Sequence, residues 1–202
     1  MTLSPAKRRH SKTRHDILAA AHALLKEKGI DGLTMRELAD RMDYSPAALY
    51  KYFHDKEAIL EGLRQEGWSL LRAANAEAAV SPLAPPELLK ALGRAYQEFA
   101  ARYPELYLLM FTSSVAPHSL ADITDRPDFK RVTDLVQAGI DQGDFELPEG
   151  VTALQVRLLI WFVSHGMAML KLTLLRECQV EFKAASQKAI DAFVELIVKG
   201  AS

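Results

Sequence analysis

The stretch GIDGLTMRELADRMDYSPAALYKYFHDKEAIL, residues 29–60, decides how this chain is read. Thr34 precedes a short apolar-periodic run and Glu37 follows three residues on, the spacing at which a helix start satisfies its amide donors from both sides. A helix over 35–42 is expected. Asp43-Tyr44-Ser45 breaks the period and Ser45-Pro46 restarts it, a serine cap ahead of a proline whose missing N–H costs nothing at the first helical position. This second short helix should reach about residue 53. His54-Asp55-Lys56 breaks the pattern again, with Asp55 as the cap of a longer helix to about residue 79.

Toward the N-terminus, Ile17, Leu18, Ala21, Leu24 and Leu25 recur at spacings of three and four, and Gly29 supplies a left-handed stop. Two short helices joined by a tight turn and braced by a longer preceding helix are the layout of a helix-turn-helix, whose second short helix enters the DNA major groove. Ile17, Ala21 and Leu24 are expected to meet Leu38, Ala39, Met42, Leu49 and Phe53 in its core. The face left over carries Pro46, Ala47, Ala48, Tyr50, Lys51 and Tyr52, followed by Lys56. Small residues permit close approach to bases, while phenol hydroxyls and ammonium groups reach phosphate oxygens; Lys51 has guanine as a second option. Packing of Tyr50 or Tyr52 on neighbouring helices is the competing reading for each tyrosine.

Residues 17–21, 29–39 and 49–60 together resemble the N-terminal signature of the TetR family of repressors. The resemblance implies that Thr34, Tyr50 and Lys56 contact phosphates and that Ala47, Ala48, Lys51 and Tyr52 face the bases. Tyr52 departs from the family pattern, which very often has histidine there. With Arg36, Ser45 and Pro46 added from the same short helices, these residues form the expected DNA-facing set.

Charge supports two regions of opposite sign. Residues 1–60 hold 11 Lys and Arg against 8 Asp and Glu, and the remainder holds 14 against 18. Lys7, Arg8, Arg9, Lys12 and Arg14 precede the first acid and suit a flexible basic arm attracted to phosphates. We expect an all-α chain with a helix-turn-helix domain over 1–60 and a helical regulatory and dimerisation domain over 61–202.

Beyond residue 80 the pattern predicts helices near 86–102, 104–114, 127–142, 151–177 and 181–199, with loops at 115–126 and 143–150. Tyr103-Pro104-Glu105-Leu106-Tyr107, and Trp161 with His165-Gly166, resemble the WHG type of TetR C-terminal domain, which implies a helical ligand-binding and dimerisation unit. Leu106, Tyr107, Met110 and Phe111 are expected to face Trp161, His165 and Met169 across a mostly apolar pocket, with ordinary core packing as the alternative. The apolar stripe of the last helix needs cover, so a homodimer through the last two helices is expected.

Several classes are disfavoured. There is no P-loop, no G-x-G-x-x-G, no G-x-S-x-G, no H-E-x-x-H and no paired-cysteine site, so neither an enzyme, a cofactor nor a metal is expected. Asp122, Asp125 and Asp128 read as solvated caps. Cys178 is the single cysteine and cannot form an intrachain disulfide, which fits a cytoplasmic protein. The apolar run 151–175 contains Gln155, Arg157, His165 and Lys171 and reads as a core helix, with no membrane partner. The expected function is a repressor that binds a palindromic operator as a dimer and is released by a small, largely apolar effector. An architectural DNA-binding protein without an effector is the alternative.

Overall fold

The computed structural model describes residues 4–79, 83–111 and 119–199, and every regular element among them is α-helical. In order these are α1 (Pro5–Gly32), α2 (Met35–Arg41), α3 (Pro46–Leu49), α4 (Lys56–Ala78), α5 (Pro85–Arg102), α6 (Pro104–Phe111), α7 (Ala121–Thr124), α8 (Pro127–Asp141), α9 (Ala153–Leu172) and α10 (Gln179–Lys199). The chain forms two compact units: Met1–Ser69 with Glu105–Thr112, and Leu70–Pro104 with Ser113–Ser202.

The first unit closes around Ile17, Ala21, Leu24, Leu38, Ala39, Leu49 and Phe53, each almost wholly buried, while Met42 is only partly covered. α1 begins earlier than expected. Ser4 caps it through its hydroxyl, which accepts the Lys7 N–H at 3.4 Å, and Pro5 takes the first helical position. Lys7, Arg8, Arg9 and Lys12 therefore stand exposed on a helix, which corrects the flexible arm read from their charge. Gly29 interrupts the helical geometry with φ 70°, a left-handed backbone that a β-carbon would strain.

α6 belongs to this first unit. Its Leu106 and Tyr107 are fully buried, Phe111 lies edge-on to Trp68 at 5.5 Å, and Arg64 of α4 donates to the Leu109 carbonyl at 3.3 Å. Arg64 also pairs with Glu57 at 2.7 Å, so its buried guanidinium is neutralised within the same helix. The domain division expected at residue 60 takes no account of this: α4 contributes its first 14 helical residues to unit one and the rest to unit two.

In the second unit α5 and α9 pack together, with α8 and α10 against both. Leu89, Val136, Phe145, Ala153, Val156 and Val194 form its core. The 143–150 loop appears where expected, and the Phe145 ring drops onto Gly139, where a β-carbon would collide with it. The Glu146 N–H donates to the Ile197 carbonyl at 3.0 Å and fastens the loop to α10. Three boundaries differ from expectation. A short helix, α7, occupies part of the expected loop 115–126, because Ser119 and Asp122 exchange side-chain and backbone bonds of 3.0 and 3.3 Å. The helix expected over 151–177 ends at Leu172, where Thr173 leaves helical geometry. The 104–114 helix is described only to Phe111, and residues 112–114 lie outside the described residues.

α9 is long and apolar enough to cross a membrane by length and composition, with a mean hydropathy of 1.4. One such helix is weak evidence for a span, and this one packs against α5, α8 and α10.

Candidate nucleic-acid interface and effector cavity

The helix-turn-helix rests on local backbone chemistry. The Thr34 hydroxyl accepts the Glu37 N–H at 3.1 Å, one half of the expected reciprocal cap. The Glu37 carboxylate turns instead to the ammonium of Lys28 across the α1–α2 turn. The full reciprocal arrangement occurs at α9, where Thr152 and Gln155 satisfy each other. After α2 the chain reverses through Asp43 at φ 55°, a left-handed position that aspartate tolerates, and the Tyr44 N–H returns to the Ala39 carbonyl at 2.9 Å. Ser45 starts α3 without the expected side-chain cap; its carbonyl accepts the Ala48 N–H at 2.9 Å.

α3 is a single turn, Pro46–Leu49, prolonged by turns in which Tyr52 and Phe53 donate to the Leu49 carbonyl at 2.9 and 3.0 Å. Buried Leu49 and Phe53 anchor this segment, so the other residues are turned outward. Thr34, Arg36, Ser45, Pro46, Ala47, Tyr50 and Lys51 are exposed, Tyr50 by 53%, and Ala48 is partly covered. The turn between α2 and α3 brings them onto one segment of the unit.

Tyr52 and Lys56 are engaged. The Tyr52 ring lies 4.8 Å from His10 of α1, its carbonyl accepts a 2.7 Å bond from Arg14, and the Arg14 guanidinium covers the Phe53 ring at 3.9 Å. Lys56 donates to the Ile30 carbonyl at 2.6 Å, which leaves two of its three N–H groups for an acceptor outside the protein. Together these contacts set the basic start of α1 beside the end of the α3 segment. Arg41 and Glu27 form a bidentate pair at 2.6 and 2.7 Å that braces α1 against α2; their bond raises the arginine pKa and lowers the glutamate pKa.

The seven residues expected to line a pocket fall into two groups. Leu106, Tyr107, Met110 and Phe111 belong to the first unit, three of them buried and Phe111 partly covered. Trp161, His165 and Met169 belong to α9 in the second. The second unit has its own cavity of about 310 Å³ between α4, α5 and α8, lined by Arg72, Asn75, Leu88, Leu92, Asp128, Arg131, Val132 and Leu135 among others. A smaller one of about 50 Å³ shares Asn75, Leu92 and Val132 with it and continues to Tyr96, Arg157, Trp161 and Ser164. Of the expected pocket residues, only Trp161 is among those lining either. Helical periodicity alone missed this site because its wall comes from four helices distant in sequence. The sequence offers one signal for it: Arg157 interrupts an otherwise apolar helix.

Trp161 stands between Phe129, in an edge contact at 6.2 Å, and His165 at 5.8 Å. The Tyr96 hydroxyl meets His165 Nδ1 at 3.3 Å, and burial holds the imidazole pKa below its ordinary value. Arg157 lies over the Phe129 ring at 4.1 Å, and its Nε is buried without a hydrogen-bond partner. Loss of water around it pushes its pKa down to about 10, against the opposing influence of Tyr96 and Asp128, so it is still cationic near neutrality.

These features define a helix-turn-helix protein with a second, helical unit that holds a cavity. Residues 17–63 match the family described as bacterial regulatory proteins, tetR family, and residues 89–198 match the tetracyclin repressor-like C-terminal domain. The chain belongs to the TetR family. Among curated relatives it is 45% identical over 49 residues to the class A tetracycline repressor from transposon 1721 of Escherichia coli, and 40% identical over 52 residues to the HTH-type transcriptional regulator YdeS of Bacillus subtilis. Those matches span 24% and 26% of this chain and only 23% and 26% of the relatives, about a quarter of each. A Rhodococcus sp. RHA1 protein of unknown function has a similar structure, with a TM-score of 0.75 at 26% identity over 92% of this chain and 95% of that one. The regulator PfmR of Thermus thermophilus shares the fold at a TM-score of 0.65 and 21% identity, over 100% and 99% of the two chains.

Proposed function

We propose that this chain is a repressor that binds a palindromic operator as a twofold dimer and lets go when a small molecule fills the cavity of its second unit. The observation that carries this reading is the outward set Ala47, Tyr50 and Lys51, presented on a segment pinned by buried Leu49 and Phe53. Tyr50 and the free donors of Lys56 serve phosphate; Ala47, Ala48 and Lys51 approach base edges. Thr34, Arg36, Ser45 and Pro46 flank them, and the contacts of Tyr52 with His10 and Arg14 make it a brace as much as a base contact.

One recognition helix reads too few base pairs for specificity, whereas a dimer reads two half-sites about 10 base pairs apart. α9 leaves Leu159, Phe162 and Leu170 exposed and α10 leaves Leu196 exposed, an apolar surface suited to a second copy of the chain. The ligand response is supported by α4, whose Arg72 and Asn75 line the cavity while its N-terminal part belongs to the DNA-facing unit. Preference of the effector for one state of the dimer lowers DNA affinity by the coupling energy, typically about 1 to 3 kcal/mol. A tetracycline repressor variant from Acinetobacter baumannii bound to minocycline shares the fold, at a TM-score of 0.61 and 18% identity over 96% of each chain. A DNA target makes the cytoplasm the place of action, and exposed Cys178 as a free thiol agrees with a reducing compartment.

Footprinting on DNA upstream of the chain's own gene, against random DNA at two salt concentrations, tests the reading. Protection of a short palindrome that survives the higher salt supports it. Uniform, salt-labile protection favours the alternative, an architectural DNA-binding protein held only by phosphate contacts.

A further inference from the structure

Arg157 is an anomaly on physical grounds. A cation partly withdrawn from water is ordinarily paired with a carboxylate, because the cost of desolvating it is offset by a partner charge and hydrogen bonds. Arg157 is partly covered and its Nε is buried without a hydrogen-bond partner; among the described residues it forms no ion pair, Asp128 acting on it only from a longer range, and its one ring contact is with Phe129. It lines the smaller cavity together with Tyr96, Ile160 and Trp161. The larger adjoining cavity has Arg72 and Arg131 in its wall against a single acid, Asp128, and is otherwise largely apolar. A largely apolar cavity with a guanidinium that has no ion pair at one end and a net positive rim is complementary to one kind of molecule.

We propose that the cavity takes a small apolar molecule bearing one oxyanion, such as a carboxylate, and that Arg157 pairs with that group. This rests on the reading of the cavity as the effector site and names the effector's chemistry. The planar guanidinium suits an oxyanion, which accepts two parallel N–H bonds from it, and the Phe129 face restricts the guanidinium plane before the ligand arrives. The apolar body fills the space between Leu92, Val132 and Trp161. A neutral molecule of the same shape displaces water from the guanidinium without replacing its hydrogen bonds and binds less well.

The test uses two fluorescent probes that differ by the anion alone, anilinonaphthalene sulfonate and neutral phenylnaphthylamine, titrated into the full chain without DNA. Wild type is expected to bind the sulfonate about tenfold or more tightly than the neutral probe. Arg157→Met should abolish that preference while keeping its affinity for the neutral probe, and Arg157→Lys should retain part of it. Arg157→Gln provides the same neutral comparison should the methionine variant fold poorly. Equal sulfonate affinity in wild type and in the neutral variants overturns the proposal, as does a wild-type preference for the neutral probe or saturable binding of neither. Because no DNA is present, failure of operator binding with the probe preference intact overturns the regulatory reading and leaves the anion site standing.

Discussion

The Tyr96 hydroxyl stands 3.3 Å from Nδ1 of His165, and burial depresses the pKa of that imidazole from an ordinary value of 6.5. The folded protein therefore holds a neutral histidine where the unfolded chain takes up a proton. Between the depressed value and 6.5 the unfolded state binds more protons, so stability is complete above that window and declines as pH falls through it. Urea denaturation between about pH 5 and pH 8 should show this slope in wild type and a shallower one in His165→Gln. An identical slope in the two proteins assigns the acid sensitivity to other groups.

Tyr50 is more than half exposed, with its hydroxyl available for phosphate. Tyr50→Phe should leave the melting temperature unchanged and weaken operator and non-operator DNA alike, by about 1 kcal/mol or roughly fivefold. Unchanged affinity in a fluorescence-anisotropy titration would leave Tyr50 as a surface ring with no part in binding.

Thr34 caps α2 through a single 3.1 Å bond to the Glu37 N–H. Thr34→Ala should cost about 1 kcal/mol of stability, and Thr34→Ser, which keeps the hydroxyl, much less. Denaturant midpoints of the two variants separate the cap from any loss of side-chain packing.

Gly139 lies directly under the Phe145 ring, and both are buried. Gly139→Ala forces the ring off its seat and should cost about 1 to 3 kcal/mol, an overpacking penalty in the core of the second unit. A variant as stable as wild type would mean that the 143–150 loop repacks freely.

Phe162 of α9 is 56% exposed. If this surface joins two copies, Phe162→Glu should convert the dimer to monomer in sedimentation velocity and reduce operator affinity without lowering helix content. A variant that still sediments as a dimer moves the interface elsewhere.

Much of the DNA-facing unit was legible in the sequence because its signals are local. Capping by Thr34 and Asp55, Pro46 at a helix start and the three-and-four spacing of Ile17, Ala21 and Leu24 all act within a few residues, and each recurs in the structure. Where a distant residue competed, the local reading failed. Glu37 left its expected cap for Lys28. The basic residues of 7–14 looked like a free arm because charge density says nothing about the Ser4-Pro5 start that makes them helical.

The cavity was not legible, since the sequence gives faces of helices but not which faces meet. Leu106, Tyr107 and Met110 carry the apolar spacing of a ligand-facing stripe, yet they are core of the first unit, where α6 packs with Trp68 and Arg64. By itself the sequence determined the helices, the turn between α2 and α3 and the outward side chains of the recognition segment, because short-range hydrogen bonding and periodic burial decide those. Only the tertiary structure decided which helices line the cavity and left Arg157 without an ion pair, because both depend on contacts between residues up to about ninety positions apart, which no local pattern encodes.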